Sequence, residues 1–321
     1  MKTILITGGM GFLGLNTALK FMEEGYRTIL CGRTQRENSR LVGKARLWKF
    51  VPVDLVNDSQ TILETVGQYE VEGIIHSALP GGIKLGSNLQ TCINLLEVCR
   101  RTKLKFIFVS SNVAYGYRTD PNPLTESDYV PVLAGSHLDE YSAMKVMCEV
   151  VTTMYHSVHG VDSVSCRVSW VYGPGAILIW YPVWFLANAL AGSPAHLDKG
   201  GDFAIDYTYV KDAALGLFLA YTVRPLEHRL FNMTSGKKIS VMEAAETVRA
   251  IVPGARIHVG PGPMEVGLGN PKIHPIQVGP MSIERAVKEL GYTTTPLEQG
   301  LSETAEWLKK QPVMPLKPLP D

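Results

Sequence analysis

Residues 3–14 read TILITGGMGFLG, a short apolar run that passes directly into a glycine-rich turn. The β-branched and leucine residues at 3–7 favour a strand, and the segment after the turn, as far as Gly25, has the apolar spacing of a helix. Glycines at three-residue steps between a strand and a helix allow a tight turn, a close approach of a pyrophosphate to the helix N-terminus, and close helix–strand packing. The stretch therefore predicts a dinucleotide site formed by Gly8, Gly11, Phe12, Leu13 and Gly14.

The alternation that begins here continues through the first half of the chain. Helical stretches separate further apolar runs at 28–30, 47–54, 73–78, 105–111 and 163–169. Strands that alternate with helices are typical of a parallel sheet covered on both faces. We predict an α/β fold, a Rossmann-type doubly wound parallel sheet with a smaller, discontinuous C-terminal substrate domain.

A Gly/Pro segment at 172–175 ends this regular pattern and marks a domain boundary. We expect residues 1–168 and about 204–232 to form the dinucleotide-binding domain. About 169–203 and 233–311 would form the substrate domain, followed by a Pro-rich tail at 312–321.

Composition narrows the class of partner. The formal net charge is +1 and 19% of residues are charged, so nothing attracts the chain to nucleic acid or to an anionic membrane. There is no membrane-length apolar run and no secretory signal at the start, which favours a small-molecule partner and a cytoplasmic location. The five cysteines form no CxxC pair, and His156 and His159 lack a third ligand at metal spacing, so we predict no metal site.

The end of the second predicted strand bears on the choice of dinucleotide. An NAD enzyme usually has Asp or Glu here, but the sequence LCGRTQR (30–36) has Gly32, then Arg33 and Arg36. A guanidinium binds a 2′-phosphate that a carboxylate would repel, so we predict NADP(H) over NAD(H). The alternative is two solvated arginines with the ribose held by backbone groups. Asp54 and Leu55 close the third strand where an adenine would lie, or they cap the strand end.

Two segments have a tyrosine four residues before a lysine, YSAMK at 141–145 and YTYVK at 207–211. Positions i and i+4 share one face of a helix, so either lysine could lie near its tyrosine. The spacing alone does not distinguish a catalytic pair from two neighbours on an ordinary helix.

With the glycine turn, VSSNVAYG (109–116) and YSAMK in one order, the chain resembles the extended short-chain dehydrogenase/reductase family, which includes nucleotide-sugar epimerases and dehydratases. The resemblance covers residues 3 to 240. It also includes HSA (76–78), NLQTCINLLE from Asn88, RVSWVYGPG (167–175) and DYTYVKD (206–212).

The resemblance implies that Ser111, Tyr141 and Lys145 are catalytic. Tyr207 lies in a segment where the family has no catalytic tyrosine. In the reducing direction Tyr141 would give a proton to the substrate oxygen, Ser111 would hydrogen-bond that oxygen, and Lys145 would hold the nicotinamide ribose. Ala78, Tyr141 and Lys145 would join the cofactor site, and a homodimer is expected through the helix that carries Tyr141, with Val146, Val150 and Met154.

Two departures from the family pattern concern the substrate. Trp170 replaces an asparagine, and Ile205 an arginine, that contact the diphosphate in nucleotide-sugar members. We predict a partly apolar pocket, whose proposed residues are Ser111, Asn112, Trp170, Ile177 and Trp180. The alternative is that the aromatic segment 177–185 packs inside the small domain or at an interface.

These observations predict an NADP(H)-dependent oxidoreductase that interconverts a carbonyl and an alcohol on a small, partly apolar substrate. The alternative is a nucleotide-sugar epimerase or dehydratase with tightly held NAD. A nucleotide-sensing binding protein without catalysis is disfavoured, because Ser111, Tyr141 and Lys145 are all present.

Overall fold

The computed structural model of the chain describes residues 1–116, 122–128, 140–176, 180–263 and 279–311, to which all structural statements below refer. The strands are β1 (Thr3–Thr7), β2 (Arg27–Gly32), β3 (Trp48–Pro52), β4 (Val71–His76), β5 (Lys105–Ser111), β6 (Ser163–Val168), β7 (Val171–Tyr172), β8 (Ala195–Leu197), β9 (Ala204–Ile205), β10 (Thr208–Tyr209), β11 (Leu230–Met233), β12 (Ile239–Ser240) and β13 (Ile257–Val259). The α-helices are α1 (Phe12–Glu23), α2 (Ser59–Gln68), α3 (Leu85–Thr102), α4 (Glu140–His159), α5 (Tyr181–Leu190), α6 (Val210–Thr222), α7 (Val241–Ile251), α8 (Glu284–Leu290) and α9 (Leu297–Leu308). The described residues also form two short 3₁₀ helices, η1 (Ser39–Leu41) and η2 (Asn112–Tyr115).

Seven strands form one sheet in the order β11-β6-β5-β4-β1-β2-β3, and every pairing in it is parallel. The strand order reverses between β1 and β4. In open α/β sheets, ligands bind at such a point, at the carboxyl ends of the strands. The first strand thus ends at the crevice where a dinucleotide would lie.

Helices cover both faces of the sheet, which explains why its central strands are apolar on both sides. On one face α1 and α6 pack together, and α6 lies against β5, β6 and β11. On the other face α2, α3 and α4 form a second layer. The α/β doubly wound fold predicted from the sequence is confirmed.

The seventh strand, β11, is an addition to the six predicted strands. Its four residues, LFNM, show no alternating pattern, and they become a strand by pairing with β6 from Leu230↔Ser165 to Met233↔Val168. Phe231 and Met233 are fully buried in the core between the sheet and the α1–α6 layer.

A smaller unit packs around α5, α7 and α9, with β8 paired to β13. Trp184 and Phe185 are buried in its core, so these two aromatic residues of the 177–185 segment serve packing. Helix α8 belongs elsewhere, because Ala286 and Leu290 join the core under the main sheet. We propose the two-domain division given above, with α8 packed on the nucleotide-binding half and with Ile205, Tyr207 and Tyr209 packed in the core of the smaller unit.

Candidate active site

The glycine turn after β1 leaves room only for backbone. Gly8 has a φ of +67°, and a Cβ there would lie 2.8 Å from the Cα of Ala78. A Cβ on Gly14 would lie 2.2 Å from the carbonyl oxygen of Gly8. Gly11 caps α1 with no side-chain hydrogen bond, and the first turn of α1 has no acidic residue. An uncapped helix N-terminus behind a glycine-rich turn fits the pyrophosphate of a dinucleotide.

Thr7, His76 and Ala78 connect the ends of β1 and β4 beside this turn. The Thr7 hydroxyl lies 2.8 Å from Nδ1 of His76, and the Ala78 N–H donates to the Thr7 Oγ1 at 3.3 Å. Burial, and to a smaller extent the charge of Lys145, lower the pKa of His76 to about 3. His76 is therefore neutral near pH 7 and adds no second positive charge beside Lys145.

The two arginines predicted to select the dinucleotide face different surroundings. Both Arg33 and Arg36 are exposed. Hydrogen bonds from Asn57 and Val56, and more weakly the charge of Arg33, lower the pKa of Asp54. Arg36 instead lines a cavity of about 320 Å³ together with residues 10–12 of the glycine turn.

Arg40 lines the same cavity and was missed by the sequence analysis. Its Nη1 donates to Oδ1 of Asn16 at 3.1 Å and to the carbonyl of Pro174 at 3.2 Å, and its Nε donates to Oδ1 of Asn38. Within the described chain all of its hydrogen-bond acceptors are neutral, and burial lowers its pKa. A partly buried cation without a carboxylate partner favours an anionic ligand. In the sequence, the only feature that pointed to Arg40 was its place four residues after Arg36.

The structure brings Tyr141 and Lys145 together at the start of α4. The Lys145 Nζ lies 5.7 Å from the centre of the Tyr141 ring and donates to the carbonyl of Val109 at 2.7 Å. Lys145 is buried, whereas Tyr141 is half-buried and packs at the edge of the core under α3 and α4. The ammonium is thus fixed by the strand that carries Ser111 and keeps further N–H donors for a ligand.

Ser111 is the last residue of β5, and η2, which follows it, packs against α4. Its hydroxyl accepts from the Val113 N–H at 3.4 Å and donates to Oδ1 of Asn112 at 3.2 Å. The Ser111 hydroxyl oxygen is therefore held at the carboxyl edge of the sheet, at the start of η2, which packs against the helix of Tyr141 and Lys145. Asn112 is half-buried beside it.

The second tyrosine–lysine pair has no such arrangement. Tyr207 is buried in the core of the small unit, and its hydroxyl has no hydrogen-bond partner among the described residues. Lys211 reaches the surface and pairs with Glu303 at 2.5 Å. The structure therefore favours Tyr141 and Lys145 as the reactive pair.

The residues at the two departures from the family pattern lie in the small unit. The half-buried rings of Trp170 and Trp180 lie 4.3 Å apart, edge to face, and Ile205 is buried in the same core. Trp170 has a φ of +37°, which is strained for an aromatic residue. Ile177, predicted for the pocket, lies outside the described residues.

Within the described ranges, no group of three or more His, Cys, Asp or Glu side chains could hold a metal ion. None of the described helices is both long enough and apolar enough to cross a membrane.

Known proteins share this architecture over nearly the whole chain. A UDP-glucuronate 4-epimerase of Thermodesulfobacterium geofontis is 25% identical over 333 residues, covering 97% of each chain. A Thermotoga maritima UDP-glucose 4-epimerase, solved with UDP-glucose, has a TM-score of 0.78 at 22% identity, covering 96% of this chain and 99% of its own. A Bacillus anthracis dTDP-glucose 4,6-dehydratase, solved with NAD, has a TM-score of 0.80 at 20% identity, covering 97% of each chain.

The model of one protein family matches residues 4–233, which contain the glycine turn, Ser111, Tyr141 and Lys145. The match spans most of the chain and includes all of the motifs that the structure places at the carboxyl edge of the sheet. The chain therefore belongs to the NAD dependent epimerase/dehydratase family, and its predicted resemblance to the extended short-chain dehydrogenases/reductases is confirmed.

Proposed function

We propose that this protein is a nucleotide-sugar epimerase or dehydratase that retains NAD and oxidises an alcohol carbon of its substrate transiently. The observation that carries the proposal is the placement of Tyr141 and Lys145 on one turn of α4, beside the strand that ends in Ser111. The relatives named above support this class over the net oxidoreductase expected from the sequence.

The residues divide the proton chemistry among them. In the oxidising direction Tyr141 would accept the proton of a substrate hydroxyl, and Ser111 would hydrogen-bond the same oxygen and stabilise its developing charge. Lys145, fixed at Val109, would hold the nicotinamide ribose with its remaining N–H donors. The bound dinucleotide would accept hydride from the substrate carbon and return it.

The test is product analysis with a defined panel. The purified protein is incubated with NAD and with UDP-glucose, UDP-glucuronate or dTDP-glucose, and NMR detects a 4-epimer or a 4-keto-6-deoxy sugar. Native mass spectrometry before and after dialysis identifies the nucleotide that is retained. No product from any sugar, with protein that dialyses free of nucleotide, would refute the proposal.

A second candidate is a net NADP(H)-dependent reductase of a partly apolar carbonyl compound, as the sequence predicted. It is favoured by Arg36 and Arg40 at the cavity beside the glycine turn and by the apolar Trp170 and Ile205. The test compares 2′,5′-ADP with 5′-AMP by calorimetry. At least tenfold tighter binding of 2′,5′-ADP, lost in Arg40→Met, would support this candidate, and equal affinities would exclude a 2′-phosphate site.

We also infer a homodimer through α4. Four of its apolar side chains, Met147, Val150, Met154 and Val158, are exposed, whereas Val146 is buried within the protomer. They are spaced three to four residues apart, so they form one stripe along the helix. An exposed apolar stripe of this length is typical of a surface that another chain covers.

A cytoplasmic location is part of the same proposal. The five cysteines are all free and buried. Free thiols in this number are typical of proteins that stay in a reducing compartment.

A further inference from the structure

Glu149 lies one helical turn after Lys145 and links α4 to two strands at once. Its Oε1 accepts from the Ser110 hydroxyl at 2.5 Å and from Nε of Arg167 at 2.9 Å, and its Oε2 accepts from Nη2 of Arg167 at 2.7 Å. The Glu149 and Arg167 side chains are only 10% and 4% exposed. None of these three residues was among the predicted site residues.

This link fixes the helix against the strand that carries the catalytic hydroxyl. Ser110 and Arg167 are partners in the β5–β6 register, so one carboxylate holds two neighbouring strands. Val109, the residue before Ser110, accepts from Lys145. Successive residues of β5 are thus bonded to successive turns of α4, and the next residue of β5 is Ser111.

Arg167 also holds the segment on the other side of Ser111. Its guanidinium lies 4.3 Å from the centre of the Tyr115 ring, which suits a cation–π contact. The Tyr115 hydroxyl donates to Oδ1 of Asn232 at 2.8 Å. Ser111 is therefore bracketed by two contacts, one before it and one after it, that both lead to the Glu149–Arg167 pair.

Stability alone does not explain such a pair. A buried ion pair costs desolvation energy that well-packed apolar residues avoid, so its net contribution to folding is often small. The Arg167 Nη1 is buried without a hydrogen-bond partner in the described chain, which adds to that cost. What the pair does provide is a directional connection between α4, β5 and β6.

We propose that Glu149 is a positioning residue, which acts through Ser110 and Arg167 to hold Ser111 in register with Tyr141 and Lys145. The inference rests on the proposed proton chemistry of those three residues. A shift of about an ångström between reacting groups can lower a rate about a hundredfold. Displacement of Ser111 relative to Tyr141 and Lys145 should therefore be detectable as a lower reaction rate.

The experiment compares Ser110→Ala with Ser165→Ala. Ser165 is equally buried on β6, and its hydroxyl has no partner in the described chain, so its removal controls for loss of a buried hydroxyl. The readout is the rate at which the sugar panel reduces enzyme-bound NAD, followed at 340 nm. We expect Ser110→Ala to lower that rate about tenfold, with the sugar KM and the NAD Kd changed less than about twofold.

The conservative variants separate positioning from folding. Ser110→Thr keeps the hydroxyl and should recover most of the rate. Glu149→Gln should show the same selective loss of rate. If it does not fold, Ser110→Ala still decides the question, because it leaves the ion pair in place.

Two results would overturn the inference. One is a rate in Ser110→Ala equal to that in Ser165→Ala. The second result applies if the wild-type protein reduces no NAD. That outcome by itself would refute the proposed function and not the positioning role of Glu149. In that case hydrogen–deuterium exchange of residues 111–116 should be faster in Ser110→Ala than in Ser165→Ala, and equal exchange would show that Ser110 does not order this segment.

Discussion

Gly14→Ala tests whether the glycine turn is shaped for a dinucleotide or is only a tight turn. The added Cβ would lie 2.2 Å from the carbonyl oxygen of Gly8 and 2.8 Å from its carbonyl carbon. Non-bonded heavy atoms pack at about 3.5–4.0 Å, so more than an ångström must be gained by moving α1 away from β1. Both atoms belong to the backbone, and no side chain can rotate aside. We expect a cost at the upper end of the range for overpacking, about 3 kcal/mol.

The same movement would widen the proposed pyrophosphate site. Displacing the N-terminus of α1 from the Gly8–Gly11 turn separates the groups that would bind the pyrophosphate together, so we expect at least a tenfold rise in the dinucleotide Kd. The assays are urea unfolding of the free protein and calorimetric titration with NAD and NADP. Measuring both nucleotides makes the result independent of which one is preferred.

Gly67→Ala is the matched control. Gly67 is the penultimate residue of α2, and its Cβ would have no heavy atom within 4 Å. Since alanine is the better helix former, this variant should be more stable by about 0.5–1 kcal/mol, with dinucleotide affinity unchanged. A Gly14→Ala protein that matched the wild type in both stability and affinity would refute the reasoning, because the close approach of α1 to the turn would then carry no constraint.

Three further predictions concern single side chains. Tyr141→Phe should lower turnover at least a hundredfold while the dinucleotide Kd stays within about twofold, and retained turnover would remove the phenol from the mechanism. His76 has its pKa lowered to about 3 in the fold, below the unfolded value of about 6.5, so stability is lost as pH falls below 6.5. Urea unfolding should show wild type losing about 2 kcal/mol more than His76→Gln between pH 6.5 and 5, and equal losses would contradict the shift. Val150→Glu with Met154→Glu should reduce the light-scattering mass to that of one chain, while Val42→Glu, at an even more exposed valine outside α4, should not. A wild-type mass of one chain would refute the dimer.

The parts of the fold that the sequence predicted are those specified by neighbouring residues. β1, the glycine turn and α1 follow each other within 21 residues and depend on local spacing. Tyr141 and Lys145 lie within one helical turn, so their proximity could be predicted from their spacing. The choice of this pair over Tyr207 and Lys211 depended on the order of several motifs along the chain. The burial of Tyr207 gives that choice a physical reason, because a phenol enclosed in a core cannot reach a substrate.

The features that were missed depend on distant contacts. β11 has only four residues and no pattern of its own, and it is a strand because β6 offers an open edge 62 residues earlier in the sequence. Arg40 acquires its position from the carbonyl of Pro174, which is 134 residues away. In the sequence, Glu149 is not distinguishable from other polar residues of an amphipathic helix. Its role depends on Ser110 of β5 and Arg167 of β6, which contact it only in the folded protein.

The position of β11 at the end of the sheet has a consequence for the growing chain. During synthesis the first six strands leave the ribosome before residue 230, so β6 is temporarily the outermost strand, with unpaired backbone N–H and C=O groups. Such an edge is a template for pairing with another chain. Leu230–Met233 covers this edge of β6 when it pairs as β11. Fragments that end before residue 230 should therefore aggregate, or remain bound to chaperones for longer than the full chain. The main sheet is complete only when β11, which follows α6, pairs with β6.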